Sequence, residues 1–103
     1  MSGILDGQLT PRTIEYLEIL QEECAEVIQA VSKIKRFGLH SFNPTDKKKV
    51  QNIEHLITEI GDVVGMIKLL TESELGTVEG LTTENISKAS QEKIKKVAKY
   101  LQT

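Results

Sequence analysis

Carboxylate side chains recur at a spacing of three residues on two segments that otherwise have the pattern of amphipathic helices. The first segment is "EECAE" at residues 22–26, and the second is "EIGD" at residues 59–62. Residues three apart are neighbours on one face of an α-helix. Each segment therefore presents a pair of acids that can hold one cation between them.

These acids fall on the apolar faces of their helices rather than on the solvated faces. At about 100° per residue, Glu23 lies inside the edge of an apolar arc and Glu26 lies at its margin. On the second segment Glu59 lies within the apolar stripe and Asp62 at its edge. Burying an unpaired carboxylate costs several kcal/mol. Two helices that each direct an acid inward need a positive charge between them.

A divalent cation is the simplest source of that charge, because no Lys or Arg falls on either apolar stripe. Mg²⁺ prefers oxygen ligands, keeps several waters and commonly shares its coordination with substrate phosphates. We therefore expect Mg²⁺, with Mn²⁺ as a substitute. Antiparallel packing of the two helices would assemble one site from four metal ligands: Glu23, Glu26, Glu59 and Asp62.

Four further polar residues are candidates for binding a substrate. Lys33 follows Glu26 by seven residues, and Asn52 and His55 precede Glu59 on nearly the same stripe. On the last helix Lys93 falls among apolar residues. Each has a structural interpretation as well: the first three as residues at the boundary of the core, and Lys93 as a side chain whose stem covers apolar neighbours.

The elements that carry these residues follow from hydrophobic spacing and helix-end signals. Thr10 and Pro11 predict an N-cap and a first helical position, and Gly38 predicts the end of that helix. Apolar residues at helical spacing fill the segment between them, and we expect Cys24 in the core.

A second helix is predicted by the apolar pattern from residue 53 to residue 70, with Asn43–Pro44 able to open it after a loop. A short fourth helix is predicted near residues 72–76. Thr82–Thr83 can cap the remaining long helix. No strand pattern is present. The predicted fold class is all-α, a bundle of three main helices and one short helix.

Length and composition limit the classes of function. The chain has 103 residues, which predicts one domain, residues 10–103, after a flexible or docking arm at residues 1–9. The net charge of −2 and the absence of Trp argue against binding to polymeric nucleic acid, and the near-neutral charge gives no attraction to an anionic membrane. A single cysteine and no signal-peptide pattern predict a cytoplasmic protein.

The order of the two acidic segments resembles a known family signature. "EECAE" followed by "EIGD" is similar to the E-E-x-x-E … E-x-x-D motif of the MazG-like all-α nucleoside triphosphate pyrophosphohydrolases, and "EECAEVIQAVSKIKRFG" resembles small phage and bacterial members. The resemblance covers about residues 10–101. The segment between the motifs is longer than in many members, and this difference concerns the substrate contacts made by the loop.

This resemblance implies an enzyme that hydrolyses a (deoxy)nucleoside triphosphate between the α and β phosphates, giving a monophosphate and pyrophosphate with Mg²⁺. By motif position, Glu23, Glu26, Glu59 and Asp62 would hold the metal and serve catalysis. Glu22 completes the catalytic motif, either beside the ligands or as an exposed acid.

Two alternatives remain open at the level of sequence. One is an enzyme like phosphoribosyl-ATP pyrophosphohydrolase, and the other is a non-enzymatic helical adaptor whose acids are solvated or bind a basic partner. A di-iron carboxylate bundle is disfavoured because neither acidic pair ends in His. The short chain leaves apolar positions on the second helix uncovered, so we also expect a homodimer or homotetramer.

Overall fold

The chain forms an all-helical structure in a computed structural model that describes residues 8–103. The helices are α1 (Pro11–Phe37), α2 (Asn52–Glu72), α3 (Glu74–Thr77) and α4 (Thr83–Tyr100). No strand occurs in the described range, so the predicted all-α class and the short additional helix are confirmed. Most of the predicted N-terminal arm, residues 1–7, lies outside the described residues.

Helix α1 begins and ends where local hydrogen bonding dictates. The Thr10 hydroxyl accepts a hydrogen bond from the Thr13 N–H at 3.2 Å, and Pro11 occupies the first turn. At the other end, Gly38 adopts φ 93°, a left-handed value that favours glycine, and its N–H donates to the Ile34 carbonyl at 2.8 Å. The predicted bounds of this helix are confirmed.

The loop between α1 and α2 is longer than predicted, and the expected helix start at Asn43–Pro44 is wrong. The Asn43 side chain instead closes a turn by accepting the Thr45 N–H at 3.0 Å. The Asp46 carboxylate then accepts the N–H groups of Lys48 and Val50, each at 3.0 Å. These side chains satisfy backbone donors outside a helix, so the chain turns here and begins α2 only at Asn52.

Helices α1 and α2 pack against each other in antiparallel directions. Ile19, early in α1, lines one cavity with Leu69, late in α2, whereas Lys33, late in α1, lines another with Asn52, at the start of α2. Of the large apolar side chains in residues 8–103, only Leu70 is fully buried, at 1% exposure. The interface within one chain is therefore small.

Helix α4 differs from the predicted bundle because it hardly contacts the other helices. None of its residues is buried, and Ile94 and Tyr100 are 67% and 58% exposed. The apolar arc of α1 is also only partly covered: Ile28 is 70% exposed, and Cys24, expected in the core, is exposed. No helix formed by residues 8–103 combines the length and the hydropathy that crossing a membrane requires.

The carboxylate of Glu74 joins the start of α1 to the start of α3. Its two oxygens accept hydrogen bonds from the Thr13 hydroxyl at 2.5 Å and from the Thr10 N–H at 2.6 Å. These bonds, the Thr13 bond first, lower the pKa of Glu74 from 4.5 to about 2. Thr13 is itself 1% exposed, so water does not readily replace the bond.

Replacing Thr13 with Val should lower the free energy of unfolding by about 2 kcal/mol, the usual net contribution of two hydrogen bonds, because valine keeps the shape and removes the hydroxyl that donates to Glu74 and accepts from Thr10. The folded-state pKa of Glu74 is depressed, so the part of this stabilisation that comes from Glu74 is complete above its ordinary pKa of 4.5 and is lost as the pH falls towards 2. Urea denaturation at neutral and acidic pH measures both effects.

Thr58→Val, the same change at an exposed position of α2, is the control. A Thr13→Val penalty that is no larger than the control penalty, or that persists unchanged in acid, would show that the Glu74 contact does not stabilise the fold.

Candidate metal centre

Three of the predicted ligands meet between α1 and α2. Glu23, Glu26 and Glu59 each place one carboxylate oxygen within 4.8 Å of the others. Glu23 and Glu26 are one helical turn apart, and the antiparallel packing sets Glu59 opposite them. The spacing that suggested a site in the sequence therefore corresponds to a cluster in space.

Asp62 extends this cluster by one turn along α2. Its carboxyl group lies close enough to that of Glu23 to raise the pKa of Glu23, and both residues line a cavity of about 400 Å³ with Gly61 and Gly65. Glu22 is exposed beside the cluster. Hereafter, "the carboxylate cluster" denotes Glu23, Glu26, Glu59 and Asp62.

The crowded acids raise one another's pKa values. A hydrogen bond that forms with Glu26 only when one of the two carboxyl groups is protonated, followed by burial and by the charges of the neighbouring acids, raises the pKa of Glu59 from 4.5 to about 7. Burial, followed by the charges of Glu26 and Asp62, raises the pKa of Glu23. Like charges in a partly desolvated site disfavour ionisation, so without a cation the cluster opposes its own full charge.

Two oxygens of the cluster have no partner among the described residues: Glu23 Oε2 and Glu59 Oε2 are shielded from solvent and accept no hydrogen bond. The ion pairs found within residues 8–103, Lys88 with Glu84 and Lys95 with Glu92, both lie on α4. Buried carboxylate oxygens are normally hydrogen-bonded, paired or bound to a metal. The donor set fits a hard divalent cation with oxygen ligands.

A cavity of about 230 Å³ adjoins the cluster on the side of the α1 C-terminus. Glu26 and Glu59 line it together with three of the predicted substrate-binding residues, Lys33, Asn52 and His55. Lys33 and His55 are exposed there. The structure thus brings these three next to the acids, as their spacing along the helices suggested, and their role in substrate binding stays a prediction.

Asn52 has a structural contact that the sequence did not indicate. It is 7% exposed, and its amide nitrogen donates to the Gly38 carbonyl at 3.0 Å. The side chain therefore links the end of α1 to the start of α2. Its remaining exposed surface borders the cavity.

Lys93, the fourth predicted substrate-binding residue, does not line the cavities that border the cluster. It lies on α4, where its ammonium group donates to the Tyr100 hydroxyl at 3.0 Å. Because α4 hardly contacts α1 or α2, the packing within one chain does not bring Lys93 to the carboxylate cluster.

The loop between α1 and α2 contributes a further cavity, which was not predicted from the sequence. It has a volume of about 450 Å³, and we call it the loop cavity. Its lining residues are Lys33, Phe37, Ser41, Phe42, Asn43, Pro44, Asn52 and His55. The sequence signal that could have indicated this cavity is the pair Phe37 and Phe42, which are five positions apart at the end of α1.

Adding Mg²⁺ or Mn²⁺ should raise the unfolding temperature, because a ligand that binds only the folded state stabilises it, by about 2.7 kcal/mol at a hundred times its Kd. Glu59→Gln should remove this response. Without metal the same variant should unfold at a temperature no lower than the wild type, since it removes a repulsive charge. Differential scanning calorimetry with and without metal measures both.

Glu18→Gln, at an exposed position of α1 outside the cluster, should keep the full response to metal. An equal rise in Glu59→Gln would place the cation elsewhere.

Comparison with known proteins gives one match. The model of the family described as "MazG nucleotide pyrophosphohydrolase domain" matches residues 12–101, nearly the whole chain. Curated proteins and solved structures give no significant match. The matched range includes the whole carboxylate cluster and the helices that position it. The family suggested by the two acidic segments is confirmed, and the chain belongs to the MazG nucleotide pyrophosphohydrolase domain family.

Proposed function

We propose that this protein hydrolyses the α–β phosphoanhydride of a (deoxy)nucleoside triphosphate, releasing a nucleoside monophosphate and pyrophosphate. Mg²⁺, with Mn²⁺ as a substitute, is held by the carboxylate cluster. The observation that carries this proposal is the pair of solvent-shielded oxygens, Glu23 Oε2 and Glu59 Oε2, that have no partner among the described residues. The family match supports the reaction class.

The bound cation would neutralise phosphate charge and polarise the phosphoryl oxygens. The chain's own residues supply the geometry. Two helices fix the acids on one face, so the carboxylates are positioned before a substrate arrives. A carboxylate of the cluster is also the base within reach of an attacking water. Lys33 and His55, in the adjoining cavity, offer a positive charge and a hydrogen bond to phosphate oxygens.

A role as an adaptor is less consistent with this geometry. An acidic surface that binds a basic protein needs carboxylates that the partner can reach. Here one oxygen each of Glu23 and Glu59 is closed off from solvent between two helices. A partner's lysine or arginine that reached the exposed carboxylates of Glu26 and Asp62 would leave the two shielded oxygens unpaired, whereas a small ion bound among the acids would pair with them.

Glu59→Gln should reduce the rate of pyrophosphate release at least about a hundredfold, because metal-assisted charge stabilisation contributes several kcal/mol and each 1.36 kcal/mol is tenfold in rate. The assay uses a panel of ribo- and deoxyribonucleoside triphosphates and phosphoribosyl-ATP, with Mg²⁺ and with EDTA.

Glu18→Gln should retain wild-type turnover. Full activity of Glu59→Gln, or activity that EDTA leaves unchanged, would overturn the proposed metal site. Turnover of phosphoribosyl-ATP alone would favour the histidine-pathway type of enzyme over a nucleoside triphosphate enzyme.

We also propose that the active form is a homodimer or homotetramer. On α2 the apolar residues Ile57, Ile60 and Val64 are 64%, 47% and 59% exposed. They form one stripe at helical spacing, turned away from α1. Soluble monomers seldom expose contiguous apolar surface of this kind. Burial of the stripe against a second copy removes its apolar surface from water. The same assembly would allow α4 of one copy, with Lys93, to approach the carboxylate cluster of the other.

Wild-type protein should sediment as a dimer or tetramer at micromolar concentration, and Ile57→Glu should dissociate it, because a charge in an apolar interface has no partner. Thr58→Glu, which places the same charge on the polar side of α2, should sediment like the wild type. A fully active wild-type monomer would contradict the assembly.

A further inference from the structure

We infer that the loop cavity binds the nucleobase of the substrate, stacked against Phe37 and Phe42. The identification of the ligand as a nucleotide rests on the proposed function. The position of the base rests on the shape and the lining of the cavity.

The cavity collects the aromatic side chains that could stack on a base. The chain has two phenylalanines, two tyrosines and no tryptophan, and both phenylalanines line this cavity. Phe37 is 59% exposed and Phe42 is 39% exposed, so neither is packed in the core. The guanidinium of Arg36 lies 5.0 Å from the centroid of the Phe37 ring. Aromatic rings held at the edge of a cavity are suited to stacking on a flat apolar group.

The loop cavity shares three lining residues with the cavity beside the carboxylate cluster. Lys33, Asn52 and His55 line both. A ligand with phosphates next to Glu26 and Glu59 would therefore pass Lys33 and His55 and reach the aromatic rings at its other end. The volume of about 450 Å³ lies in the usual range for small-molecule sites. The site thus places its charged groups at one end and its aromatic rings at the other, as a nucleotide places its phosphates and its base.

Hydrogen bonds hold the loop in shape around the cavity. The carbonyl groups of Leu39 and Ser41 accept the N–H groups of Ile53 and Asn52, each at 2.9 Å. The Asn43 carboxamide oxygen accepts the hydroxyl and the N–H of Thr45. A site that is already formed loses less conformational entropy on binding.

The same loop offers the edge of a base polar groups that are not engaged in hydrogen bonds within the described residues. Within residues 8–103, neither the Ser41 hydroxyl nor the Asn43 amide nitrogen has a hydrogen-bond partner, although both residues line the cavity. A hydroxyl can donate or accept, and an amide nitrogen donates. They supply the directional contacts that stacking lacks.

The test uses protein labelled with 4-fluorophenylalanine, because the two phenylalanines give two ¹⁹F resonances. The probes, added without metal, are adenosine monophosphate, cytidine monophosphate and, as the ligand without a base, ribose 5-phosphate. At least one nucleotide should shift both resonances saturably, and ribose 5-phosphate should leave them unchanged. Phe37→Leu and Phe42→Leu each leave one resonance and so assign the signals.

Three results would overturn the inference. The first is that neither nucleotide shifts the ¹⁹F resonances. The second is that ribose 5-phosphate shifts them as much as the nucleotides do. The third is that the resonances move with protein concentration and not with nucleotide, which would show that a second copy covers the rings. Nucleotide shifts without any release of pyrophosphate would instead overturn the proposed function while supporting the base site.

In the active enzyme, Phe42→Ala should raise KM roughly tenfold, as expected for the loss of one stacking contact, with kcat changed less than about twofold. Phe42→Trp should restore the KM. The inhibition constant of inorganic tripolyphosphate, which has no base, should be the same in all three proteins. A KM that does not change, or a tripolyphosphate constant that rises in parallel, would contradict stacking at Phe42.

Discussion

Repulsion between carboxylates held on facing helices is the constraint around which this fold is arranged. Glu23, Glu26 and Glu59 lie within 4.8 Å of one another, at an interface where Leu70 is the only large apolar side chain that is fully buried in residues 8–103. The contact between α1 and α2 therefore combines a small apolar gain with a concentrated negative charge. The proposed cation would change an unfavourable contact into a crosslink between the two helices.

The features that could be predicted from sequence depend on neighbours along the chain. Thr10 and Thr82 accept hydrogen bonds from residues three positions ahead, and Gly38 ends α1 through its own backbone conformation. The carboxylate cluster was predictable for the same reason, since a spacing of three residues defines a helix face. The convergence of the two faces needed only the antiparallel packing of adjacent helices.

The features that escaped prediction depend on residues far apart in sequence or on competing local bonds. The contact of Thr13 with Glu74 spans 61 positions, and no local sequence pattern at either residue predicts it. At Asn43–Pro44 the helix-start signal is outcompeted by the carboxylate of Asp46, which binds the next N–H groups of the loop. The position of α4 was also unpredictable. An apolar stripe indicates that a helix must be covered, but it does not identify the surface that covers it.

The separation of α4 from the rest of the chain has a consequence for how cooperatively the protein folds. An isolated helix of fewer than about 15 residues is marginal in water, and one slightly longer gains little beyond that. With 18 residues and none buried, α4 depends on its Thr82 cap and on ion pairs such as Lys88 with Glu84. Its backbone amides should therefore exchange with solvent deuterium faster than those of α1 and α2, and become protected only when another surface covers the helix.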